Sequence, residues 1–146
     1  MNLDLFFEVI GKITTLFGFI GSIIGFFKYK EKAINKNKNT LANKWTNEGD
    51  VNSLEYRFVS LDIKNLHGEV YGQIFLVGKD RPLECHIDVG YFSSKLHISE
   101  LNKTTLIPIA EVVLKINADR SRIHWKLASK HSKEYLFPYE SDLWPY

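Results

Sequence analysis

Two patterns divide this chain. From Ile13 to Phe27 runs ITTLFGFIGSIIGFF, fifteen residues without a charge, and past Trp45 apolar and polar residues alternate in short segments separated by turn formers. The first pattern predicts a helix in lipid and the second a series of strands, each with one buried face.

The alternation gives each strand an inward set. Val59, Leu61 and Ile63 share a face with Arg57, opposite Tyr56, Phe58, Ser60 and Asp62; Val70, Gly72, Ile74 and Leu76 follow after the short connection NLHG. Past GKDRP come Cys85, Ile87, Val89 and Tyr91, then Leu96 and Ile98. Ala110, Val112, Leu114 and Ile116 precede the turn NADRS, and Ile123, Trp125 and Leu127 precede a closing segment with Tyr135, Phe137 and Tyr139. This predicts an all-β domain of about eight antiparallel strands in meander order. Such a meander leaves no exposed sheet edge if it curls and closes into a small barrel. Gly72 and Gly90 fall mid-strand on this reading, where a barrel bends or another group approaches closely. A two-sheet sandwich has the same periodicity and stays open.

The uncharged stretch alone is short of the roughly 20 residues that cross a bilayer core. Counting back to Leu5 gives enough length and brings in Glu8 and Lys12, which at i and i+4 meet on one helical face. A basic run, KYKEKAINKNK, follows directly, as expected where a chain leaves lipid for an anionic cytoplasmic surface. A signal peptide has the opposite charge polarity. The chain therefore divides into a transmembrane helix over 1–30, a basic linker over 31–44 with at most a frayed helical extension, and a β-barrel domain over 45–146. By the positive-inside rule the C-terminal domain is expected in the cytoplasm. Gly11, Gly18 and Gly25 recur every seven residues, and Gly18/Ser22 and Gly21/Gly25 are small-xxx-small pairs, so the helix is expected to self-associate along that strip.

From Thr40 onward there are 13 Lys/Arg and 14 Asp/Glu, which argues against a DNA or RNA polymer as partner. Cys85 is the single cysteine, so no internal disulfide can form, and its strand face predicts that it packs as a small hydrophobe. His86 and Asp88 lie two apart, with His97 near, and merit consideration as a metal or acid/base pair. Period-two polar residues are also what a solvated strand face requires, and that is the reading adopted. No Walker, nucleophile-elbow or HExxH spacing is present. The expectation is a protein that is not an enzyme and carries no metal or cofactor. Arg120, Arg122 and Lys126 form a basic group read as a solvated turn.

With GEVYGQIFL, VGYFSSKLHI, RIHWKLA and a closing YLFPYESDLW behind an apolar helix and a basic linker, the chain resembles the membrane-anchored, lipocalin-like β-barrel effectors of bacterial CBASS anti-phage signalling. The resemblance covers the layout of the whole chain and rests on strand rhythm. It implies a barrel that binds a cyclic dinucleotide, homo-oligomerises and disrupts the inner membrane. Members of that family typically carry two membrane helices, where this chain shows one apolar segment. No family motif transfers residue by residue, so site candidates come from ligand chemistry. Phosphates call for a cation and bases for aromatic faces, which selects the inward Arg57, Tyr91 and Trp125. The alternatives are an Arg57–Glu55 pair at a barrel end and plain core packing of the two aromatics. A membrane-tethered binding or scaffold protein is the other functional expectation.

Overall fold

A computed structural model describes residues 3–50, 57–128 and 133–146. One long helix, α1 (Leu3–Leu41), precedes β1 (Lys44–Thr46), β2 (Val59–Leu66), β3 (Glu69–Leu76), β4 (Leu83–Asp88), β5 (Ser94–Asn102), β6 (Thr105–Ile116), β7 (Ile123–Leu127) and β8 (Glu140–Pro145). The chain falls into two compact units, Met1–Ala33 and Ile34–Tyr146.

In the first unit the uncharged stretch of α1, 13–27, is apolar all round. Phe6, Ile10, Phe17, Ile20 and Phe27 are exposed, and so are Phe7, Leu16, Phe19, Ile23 and Phe26. A helix with no polar face needs an apolar surrounding, and α1 is long and apolar enough to cross a membrane. Its 39 residues measure about 58 Å at 1.5 Å each, well beyond a hydrocarbon core of about 30 Å. Lys12 Nζ lies 2.6 Å from Glu8 Oε1, the pairing anticipated from their spacing. Thr14, Thr15 and Ser22 donate their hydroxyls to the carbonyls four residues back, which covers polar groups that lipid would not satisfy.

The second unit is a barrel. Its eight strands pair in sequence order, and β1 closes it by pairing with β8 through Trp45↔Pro145 and Thr46↔Trp144. Closure settles the sandwich alternative, and with it both sheet edges vanish. The alternation read from sequence holds along the strands: β3 alternates exposed and buried residues from Glu69 to Ile74, and β4 does so throughout. The β2–β3 connection is the two-residue turn His67–Gly68, with φ of 53° and 86°. Both values are left-handed, the geometry a tight hairpin uses because its twist matches that of the strands.

Eight strands enclose room for side chains or one small ligand, and here side chains take it. Trp45, Leu61, Ile74, Leu96, Ile98, Leu114, Ile123 and Trp125 are fully buried. Among the described residues, two fully buried side chains from outside the strands, Leu41 and Phe137, complete the core. Leu41, the last residue of α1, enters at one end, where its carbonyl accepts a hydrogen bond from Trp45 Nε1 at 3.0 Å; Phe137 enters at the other. Phe137 packs 6.2 Å from Trp125, ring to ring, and Trp125 Nε1 donates to Pro138 O at 2.9 Å.

Cys85 is buried on this inner face, and burial, with a smaller contribution from Glu84, pushes its thiol up to about 12. The thiolate is the reactive form. Native protein at pH 8 should therefore resist iodoacetamide for hours and become alkylated in denaturant; rapid alkylation of native protein would mean that this face opens.

The segment read as a linker differs from expectation. Residues 31–41 are helical, and from Ile34 onward they belong to the barrel's compact unit. Asn37 Nδ2 donates to the carbonyls of Gly90 and Tyr91 at 3.0 and 3.2 Å, Lys38 Nζ to Gly68 O at 2.6 Å, and Asn65 Nδ2 to Asn39 Oδ1 at 3.1 Å. These polar side chains satisfy groups at one barrel end, so residues 34–41 are part of the barrel unit.

Candidate functional site at the barrel mouth

The end of the barrel on which residues 37–41 sit carries the turns after β2, β4 and β6. Between the last two lies a pocket of about 290 Å³, lined by Asn37, Tyr91, Ser94, Leu114, Ile116 and Arg120 among others. Its apolar floor, Leu114 and Ile116, comes from inward positions at the end of β6. Ser94 opens β5, pairs with Leu114 and is 3% exposed. Gly90 closes its turn tightly, since a Cβ there would lie 2.1 Å from Ser93 O. Gly90 thus belongs to the turn after β4 and not to mid-strand, because β4 ends at Asp88.

Arg120, with φ of 61°, reaches from the β6–β7 turn back to the helix. Its Nη1 donates to Thr40 Oγ1 at 2.7 Å and to Lys36 O at 3.5 Å, and its Nη2 to Asn37 Oδ1 at 3.1 Å. All three acceptors are neutral, so the charge is held in place without being cancelled. The neighbouring Asp119 turns its carboxylate into its own loop. Hydrogen bonds from the hydroxyl and backbone of Ser121 hold that carboxyl below its usual range. No Asp or Glu lines the pocket.

The three residues selected from sequence do not meet. Trp125 is wholly buried in the core, in the packing arrangement that was its alternative. Tyr91 lines the mouth pocket and packs edge-on against Phe92 at 4.6 Å. Arg57 precedes β2 at the opposite end of the barrel, where Nη1 donates to Phe137 O at 3.0 Å. It is exposed there and not inward, because β2 begins only at Val59. Glu55, its alternative partner, lies outside the described residues, as does Tyr56. A Cβ added to Gly11, Gly18, Gly21 or Gly25 meets nothing within 4 Å, and Ser22 Oγ donates to Gly18 O at 2.9 Å. That strip of α1 presents bare backbone.

On the barrel's outer face, His86 and His97 sit opposite each other on β4 and β5. His97 Nε2 lies 2.9 Å from Asp88 Oδ2, and His97 Nδ1 3.5 Å from Glu111 Oε2. These side chains are well solvated, and among the described residues no group of three or more His, Cys, Asp or Glu side chains is placed to hold a metal ion. A larger hollow of about 550 Å³ near Lys79, Arg81, Glu84 and Leu101 mixes both charges. Within it Glu100 pairs with Lys79 and Lys133, and hydrogen bonds from Lys133 and then Lys79 hold its carboxyl below the usual range. The lining of the mouth pocket, by contrast, carries a single sign of charge.

Fold and site together define a closed eight-stranded meander barrel, preceded by an apolar helix of membrane-crossing length, with a cationic pocket at the helix-bearing mouth. No family model, curated protein or solved structure matches the chain.

Proposed function

We propose that this protein is an anchored, non-enzymatic effector of the CBASS type. Its barrel faces the cytoplasm, takes a cyclic dinucleotide, and on binding gathers copies whose α1 helices disrupt the inner membrane. The observation that carries the reading is the pairing of one solvent-exposed apolar helix with a closed meander barrel in a single short chain. The basic residues Lys28, Lys30 and Lys32 after the apolar stretch support the orientation. Tethering then makes helix association cheap, because barrels brought together raise the local concentration of their helices. The bare-backbone strip on α1 is suited to that contact.

The filled interior moves the ligand from the lumen to the barrel's end. It also weighs against a lipocalin-like carrier with a lipid inside, which leaves a tethered scaffold as the competing reading. Full-length protein reconstituted in vesicles separates the two. A panel of cyclic dinucleotides should include one that enlarges the assembly and releases an entrapped dye. If no member of the panel changes either, the effector reading fails and the scaffold takes its place.

A further inference from the structure

The mouth pocket brings a held guanidinium, Arg120, together with serine side chains in a lining without carboxylates. Ser94 is 97% removed from solvent, and it lies in the lining of a cavity large enough for several water molecules or a small ligand.

The donors around it are accounted for one by one. Asn37 gives both amide hydrogens to Gly90 O and Tyr91 O and receives Arg120 on its oxygen, so it is spent. Asn117 donates to Asp119 and Ser121 and accepts from Arg122 N, so it is spent as well. A guanidinium has five N–H donors, and Arg120 directs its bonds to three acceptors, leaving about two N–H free. Ser93 and Ser94 add two hydroxyls to the lining beside Tyr91. A fixed cation, two hydroxyls and an acid-free lining make a site for an oxyanion.

The geometry points to a binding site at this mouth for a phosphate group, presented by a soluble phosphate ester or by a lipid headgroup, with Arg120 and Ser94 as its principal contacts. Arg120 needs no rearrangement to receive it, because Thr40 and Asn37 already hold its side chain, and such preorganisation favours affinity. The same bonds tie the site to the helix. An occupied site links the turns after β4 and β6 to residues 36–40, so ligand should tighten the last turns of α1. This deepens the effector reading by locating the phosphate contact, and it can fail separately from it.

The test uses the full chain in nanodiscs of phosphatidylcholine, titrated with inorganic phosphate, pyrophosphate and cyclic dinucleotides, with hydrogen exchange followed over residues 36–41. Saturable binding and slower exchange there are expected. Ser94→Ala should weaken binding about 10-fold, and Arg120→Gln about 100-fold, as for hydrogen bonds to a charged group. Ser94→Ala is a small truncation in a pocket lining, so its melting temperature should stay at the wild-type value, and equal melting curves separate a binding loss from unfolding. If only nanodiscs containing phosphatidylglycerol slow the exchange, and Arg120→Gln abolishes the effect, the phosphate belongs to a lipid. Absence of both responses, or ligand affinity unchanged in Ser94→Ala and Arg120→Gln, overturns the site. A cyclic dinucleotide that permeabilises vesicles equally well with both variants would leave the effector reading standing without it. Phosphate binding without any permeabilisation would do the reverse.

Discussion

Trp125→Ala should cost the barrel about 3–5 kcal/mol, the range for truncating a buried large aromatic. That is enough to lower its melting temperature by roughly 15 °C in a domain of this size. Three losses add up at this position. The indole is wholly buried, it packs on Phe137, and its Nε1–H satisfies Pro138 O. Removing it leaves a void against Phe137 and strips a buried carbonyl of its donor. Trp125→Phe should keep much of the volume and cost about 1–2 kcal/mol, chiefly through that carbonyl. Calorimetry on the full chain in detergent measures both. If Trp125 instead lined an open lumen for a ligand, Trp125→Ala would leave the melting temperature within a degree or two of wild type.

The second large effect is expected at Gly72. It sits in β3 opposite Ile63 on β2, and a Cβ there would lie 2.1 Å from Asp62 O and 2.9 Å from Ile63 Cα. Both are backbone atoms, so no flexible side chain can move aside. Gly72→Ala should therefore force β2 and β3 apart and destabilise the barrel by about 3 kcal/mol or more, at the upper end of overpacking costs. Gly72→Val should prevent it from folding. Gly18→Ala, where added atoms meet nothing within 4 Å, should leave the barrel transition unchanged. A stable Gly72→Ala barrel would contradict the register that joins Ile63 to Gly72.

The strands were legible because the side-chain period of a strand is two and one face of each is buried. From Val59 to Trp125 most inward residues are those the alternation selects, but Ile109 is buried on the face read as outward, and in the closing segment Tyr135 and Tyr139 are exposed while Phe137 and Leu143 are buried. Gly72 was legible for the same reason, as an interruption of that pattern. Whether the barrel would be hollow was not legible, since Leu41 and Phe137 come from outside the strands and carry no periodic signal. Arg57 was misplaced by extending the alternation past the point where β2 begins. The attachment of residues 34–41 to the barrel has no sequence signal, because Asn37, Lys38 and Thr40 act by hydrogen bonding to turns distant in sequence, which polar residues do without any apolar pattern. Arg120 read as a solvated turn residue, yet its contact with Thr40 spans 80 residues. Of the mouth pocket, Tyr91 alone had been singled out for a ligand.

The account depends most on α1 crossing a bilayer with the barrel on the cytoplasmic side. Protease access to a tag placed after Tyr146, in intact spheroplasts and in inverted inner-membrane vesicles, measures this directly once alkaline carbonate has shown where the chain partitions. The prediction is a chain that stays in the carbonate pellet and a tag cleaved only in inverted vesicles. A chain released to the supernatant, or a tag cleaved in intact spheroplasts, would contradict it.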